Sequence, residues 1–134
     1  MNLSNLSIFG LASDRMTWLA ARQKVTSENV ANAGTPNFRS RDVTPFESML
    51  RDRTSTDTRL ATSHPRHIAG QNVAAPGIRE IEDKTATRTT LDGNTVNLEN
   101  QVIRSAEISD QYKLASQLYR KSYDLLTMAV TGGR

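Results

Sequence analysis

Asn29-Val30-Ala31-Asn32-Ala33-Gly34-Thr35-Pro36-Asn37-Phe38 is where a helical pattern stops. Upstream, Phe9, Ala12, Met16, Leu19, Thr26, Val30 and Ala33 recur at steps of three and four, with Gln23 filling the missing slot. That spacing gathers them on one side of a helix. Gly34 suits a left-handed, helix-ending conformation because it has no Cβ to clash there. Pro36 cannot continue a helix and pushes Thr35 toward extended backbone. The reading is a long helix over residues 8–33, stopped abruptly and followed by an extended, strand-like run. Leu11, Trp18 and Val25 add a second stripe at seven-residue spacing. The apolar face is therefore wide, as for a helix covered by more than one neighbour.

The other end of the chain is periodic too. Leu98, Val102, Ser105, Ser109, Tyr112, Ser116, Tyr119, Tyr123, Leu126 and Val130 alternate four- and three-residue steps over more than four heptads. Ile108, Ala115, Leu118, Leu125 and Ala129 form a parallel stripe. The serines and alanines let helices approach closely. Asn97 is placed to cap the start, with Asn100 three residues on, and Gly132-Gly133 to end the helix. A helix of about 35 residues spans roughly 52 Å, too long for a compact domain of this size.

Between them, residues 39–95 are rich in Thr, Ser, Arg and Asp and punctuated by Pro45, Pro65, Pro76, Gly70, Gly77 and Gly93. Pro45–Leu50 reads as a short helix, Val73–Ile81 and Ala86–Leu91 as short strands, and Asp92-Gly93-Asn94 as a turn. The expected fold is mainly α: long N- and C-terminal helices in a coiled-coil-like pair, parallel or antiparallel, around a small irregular or β-containing middle segment. The segments are 1–38, 39–95 and 96–134. Apolar residues are only 37% of the 134 and aromatics 5%, low for a self-sufficient core. Burial then struggles to offset chain entropy, and the expectation is a monomer partly disordered until it assembles.

Composition narrows the function classes. The net charge of +3 is spread evenly: 3 basic and 2 acidic residues in 1–38, 9 and 8 in 39–95, 5 and 4 in 96–134. A nucleic-acid binder concentrates Lys and Arg on one face, so no nucleic-acid partner is expected. Trp18 and the tyrosines lie on helical stripes, as contact residues rather than a stacking platform for bases. Without cysteine there is no disulfide framework and no Cys-based metal site. No run is long and apolar enough to span a membrane, and the N-terminus does not read as a cleavable secretory signal. His64-Pro65-Arg66-His67 holds both histidines, but Pro65 spoils a helical metal site and reads better as a turn. Glu80-Ile81-Glu82-Asp83 reads as a solvated face. No phosphate loop, nucleophile elbow or zinc-protease signature occurs. The chain reads as a non-enzyme with no catalytic, cofactor or metal residues.

Several of these strings carry a resemblance. The bacterial flagellar rod, hook and hook–filament junction proteins have a helix that runs into Ala-Asn-x-x-Thr-Pro-Gly-Tyr. Ala31, Asn32, Thr35 and Pro36 match, with Asn37 for the Gly and Phe38 for the Tyr. His-Pro-x-His-Ile at residues 64–68 is similar to a stretch in proximal rod proteins. Asp92-Gly93-Asn94-Thr95-Val96 resembles the Asp-Gly-Asn-x-Val-x-x-x-x-Glu run that opens their C-terminal helix; the glutamate position falls on Gln101, or Glu99 fills the role two residues early. The resemblance implies a structural subunit of the flagellar proximal rod in the periplasm, exported by the flagellar type III system. It implies other rod proteins, the rod-to-membrane-ring adaptor and the export gate as partners, alongside self-association. On that reading Leu11, Trp18, Val25, Asn32, Thr35, Pro36, Phe38, Tyr112, Tyr119, Tyr123 and Leu126 make subunit contacts, with Thr35–Phe38 extended against a neighbour. The alternative is a soluble helical adaptor or regulator that binds one partner helix through the C-terminal stripe.

Overall fold

The structure is a computed structural model, which describes residues 7–54 and 77–132. Its elements in chain order are α1 (Ser7–Ala31), β1 (Arg41–Val43), α2 (Phe46–Thr54), β2 (Glu80–Glu82) and α3 (Leu98–Thr131). The two long helices run antiparallel. Phe9 meets Tyr119 edge to face at 5.2 Å, Arg15 donates to Gln111, Gln23 to Ser105 and Asn29 to Gln101, so positions rise on one helix as they fall on the other. The last turns of α3 run on past the described start of α1.

α3 begins and ends as its sequence dictates. The Asn97 side chain accepts from the N–H of Asn100 at 3.3 Å. Gly132 closes the far end with φ 70°, a left-handed conformation that costs glycine little.

β1 and β2 pair antiparallel, Arg41 opposite Glu82, Asp42 opposite Ile81 and Val43 opposite Glu80. They make a small ribbon laid along one side of the helix pair. The core lies where the ribbon and α2 meet the helices: Trp18, Leu19 and Val25 from α1, Val43 from β1, Met49 from α2 and Ile108 from α3. Trp18 is its hub. Its indole N–H donates to the Thr44 carbonyl at 2.7 Å, Phe46 packs edge-on at 5.9 Å, and the Arg15 and Arg22 guanidinium groups lie 4.7 and 5.3 Å from the ring centre. The middle segment thus caps the second stripe of α1.

Several expectations change. Gly34 does not take a positive φ; the positive-φ residues are Asn37, Gly93 and Gly132 among those described. Thr35–Phe38 is a turn rather than an extended run, and extended backbone begins only at Phe38. No strand forms over Ala86–Leu91, because Asp83 folds the chain back on itself through its bonds to Thr85 and Ala86. The strand expected at Val73–Ile81 survives only as Glu80–Glu82 within the described residues; His64–His67 lies outside them. β1 was not anticipated. On α3 the inward face is Gln101, Ile108 and Ala115, not the tyrosine-bearing heptad stripe. The polar anchors at Gln101 and Arg104 rotate the helix, as described next.

Candidate functional site: the motif clasp and the assembly surface

The two signature strings, 57 residues apart in sequence between Thr35 and Asp92, lie against one another. Thr35-Pro36-Asn37-Phe38 closes as a β-turn, with the Phe38 N–H donating to the Thr35 carbonyl at 3.3 Å. Proline in the second place and Asn37 at φ 59° in the third fit a type II turn. That third place demands a positive φ, which glycine takes freely and asparagine tolerates best among residues with a Cβ. The Gly-to-Asn departure from the resembling motif therefore keeps the backbone.

Asn94 locks this turn. Its side chain is buried, and its amide donates to the carbonyls of Asn32, Ala33 and Thr35 at 2.9, 3.1 and 2.8 Å. Its own oxygen accepts from the Val96 N–H at 2.7 Å. A helix leaves its last carbonyls without intrahelical partners. In α1 they are met locally, the Glu28 and Asn29 carbonyls by the Asn32 N–H and the Val30 carbonyl by the Ala33 N–H, so Asn94, about sixty positions away, holds the chain just beyond the helix. Alongside, Asn37 N–H donates to the Asp92 carbonyl at 2.8 Å and Thr95 N–H to the Phe38 carbonyl at 3.0 Å. A Cβ on Gly93 would stand 2.5 Å from Asn37 Oδ1, and Gly93 itself has φ 79°.

One helical turn earlier, buried Asn29 ties three segments together. Its amide donates to the Arg41 carbonyl at 2.7 Å and to Gln101 Oε1 at 3.1 Å, and its oxygen accepts the Arg41 N–H at 3.0 Å. Gln101 is therefore the residue that fills the inward slot left open between it and Glu99, which is exposed. Deeper in, Arg22 grips Asp42 through two hydrogen bonds of 2.9 and 2.8 Å, and Arg104 reaches Asp42 at 3.5 Å and Asp83 at 2.9 Å. Burial pushes the Asp83 carboxyl up, but hydrogen bonds from Thr85 and the neighbouring Arg104 hold it below its ordinary value.

Of the residues assigned to subunit contact, Trp18 and Val25 are buried inside the chain. Tyr119 stacks on Phe9, Leu126 and Phe38 are half-buried, and Asn32 is held by its bond to the Glu28 carbonyl. Leu11, Thr35, Pro36, Tyr112 and Tyr123 are exposed. α3 exposes a larger set, of which the sequence reading left Ile103, Leu114 and Met128 off both stripes. Ile103, Leu114, Leu118, Leu125 and Met128 share one flank of α3, while Leu98, Val102, Tyr112, Tyr123 and Val130 share the other. Most are half exposed or more. The signal that could have found the first flank was Leu118 and Leu125 in the parallel stripe. Among the described residues no three metal-ligating side chains gather, and no helix is long and apolar enough to cross a membrane.

A helix hairpin closed by two interlocked motifs, with exposed apolar flanks, has the form of a helical packing unit. Residues 11–39 match the family described as Flagella basal body rod protein. The chain is similar to the flagellar basal body rod protein FlgB of Agrobacterium fabrum, 30% identical over 96% of each chain. It is also similar to FlgB of Escherichia coli, 35% identical over 72% of each, and of Cereibacter sphaeroides, 29% identical over 92% of this chain and 93% of that one. The chain belongs to the FlgB family of flagellar basal body rod proteins. It is a structural component of the flagellar basal body rod.

Proposed function

We propose that the chain is a subunit of the proximal rod that polymerises through its two long helices into the shaft carrying torque across the periplasm. The observation that carries this reading is α3. It buries one narrow face on α1 and leaves apolar side chains exposed on both flanks along its length. Such a helix is built to be surrounded, since large contiguous apolar surface on a soluble protein marks an interaction site. Association through different surfaces, head to tail, grows an open helical polymer instead of a closed ring. Other rod proteins, the rod-to-membrane-ring adaptor and the export gate are the neighbours this role requires, and the flagellar type III system is the route outward.

The experiment is deletion of the gene in its own bacterium, followed by purification of basal bodies. Membrane rings without rod, hook or filament, restored by the full chain in trans, are expected. Complete rods in the deletion strain would refute the reading, and a complementing chain found only in the cytoplasm would favour the adaptor instead.

A further inference from the structure

We propose that the tip of the motif clasp docks a protein other than this chain, one that offers an apolar socket edged by carboxylates; this rests on the rod reading above and names the chemistry of one partner. The Asp92-Gly93-Asn94 string closes a tight hairpin turn. The Gly93 N–H donates to the Thr90 carbonyl and the Thr90 N–H to the Asn94 carbonyl, both at 2.9 Å, and Gly93 sits at φ 79°. That is a β-turn completed by a bulge glycine. The Thr90 hydroxyl donates to the Asp92 carboxylate as well. Leu91 takes the second place of this turn and is fully exposed. Pro36 takes the same place in the Thr35–Phe38 turn and is exposed too. The Asn37 N–H, bonded to the Asp92 carbonyl, ties the third places of the two turns together.

One exposed leucine is ordinary on a protein surface. Leu91 differs in its setting. It packs against nothing among the described residues, so the core does not explain it. Its backbone is already fixed by the turn, so docking it orders little beyond its own rotamers. Pro36 adds a second rigid apolar group one residue from the same joining bond. Charge names the partner. The run that leads to the tip carries Lys84 and Arg88, both exposed, and no acid before Asp92. Neither cation has an ion pair among the described residues. Cations flanking an apolar anchor favour a surface of opposite sign, which steers and orients the encounter. A second copy does not offer one at its helix pair. The two hollows between α1 and α3 are lined by no carboxylate, and Lys113 is the charged residue in them.

The test places p-benzoylphenylalanine at position 91, and in a second strain at position 36, in the full chain as the sole copy in its own bacterium. Basal bodies are purified after illumination and the linked peptides sequenced. One and the same other protein is expected from both positions, linked within a segment that holds Asp or Glu. Lys84→Glu with Arg88→Glu should cut the yield of that product by about tenfold, and exchanging the partner's carboxylates for lysine should restore it. Leu91→Asp should cost swimming while the thermal melt of the purified chain stays where it was. Links only to this chain itself, links to a segment without carboxylates, or a yield indifferent to the charge reversal overturns the proposal. So does the absence of any link from both positions in a chain that still purifies with basal bodies. A wild-type chain absent from basal bodies would instead overturn the rod reading itself.

Discussion

The side-chain amide of Asn94 lies 2.8 Å from the carbonyl oxygen of Thr35, joining the turn before α3 to the turn after α1. This contact makes one structural unit of two strings that the sequence holds far apart. It fixes the chain just after α1 and hence where the extended run leaves for β1.

Asn94→Ala tests this lock directly. It leaves three carbonyls and a buried cavity without a donor, at a cost of about 2–3 kcal/mol. Urea unfolding of the purified chain followed by circular dichroism should show the midpoint falling accordingly. An unchanged midpoint would mean that water satisfies these carbonyls equally well.

Two glycines should respond oppositely. Nothing lies within 4 Å of a Cβ built on Gly34, and its φ is not positive. Gly34→Ala is therefore expected to be neutral or to stabilise by up to about 1 kcal/mol through the unfolded chain. Gly93→Ala meets both a positive φ and the Asn37 side chain, and should lower stability by about 1–2 kcal/mol or more. Asn37→Gly should be tolerated and Asn37→Val should not. Thermal melts of the four variants decide these rankings.

Trp18 and Leu118 separate folding from assembly. Trp18→Ala empties the hub of the core and should cost about 3–5 kcal/mol, losing motility through instability. Leu118→Asp alters an exposed site, so stability should move by less than about 0.5 kcal/mol while swimming is lost. Phe38→Ala, at a half-buried ring 5.7 Å from the Arg41 guanidinium, should impair swimming with export intact. Normal swimming of the Leu118 and Phe38 variants would remove both residues from the interface.

The Asp83 site gives a pH signature. A carboxyl whose folded pKa lies below its unfolded value binds fewer protons when folded. Its stabilisation is present above the unfolded pKa of about 4 and is lost as pH falls through the lower, folded value. Stability should hold from neutral pH to about 5 and then decline below about 4. Thr85→Val, which removes one bond to Asp83 and so brings its folded pKa closer to the unfolded value, should make that decline smaller, as read by urea midpoints at a series of pH values. An identical acid limb in the variant would show that Asp83 is not part of it.

Sequence by itself determined the two long helices, the Asn97 and Gly132 caps, the Asp92–Asn94 turn and the family. Each of these depends on local propensity, on spacing along one helix or on a short string of residues. Only the tertiary structure decided which face of α3 turns inward. Periodicity marked two stripes of comparable apolar character, and the choice fell to Gln101 against Asn29 and Arg104 against Asp42 and Asp83. It likewise set Asn94 against the carbonyls that follow α1, and it drew Trp18 and Val25 into the core under β1 and α2. These are partnerships between residues distant in the chain. A buried polar group takes whichever partner the fold brings within hydrogen-bond reach, and no local pattern encodes that distance.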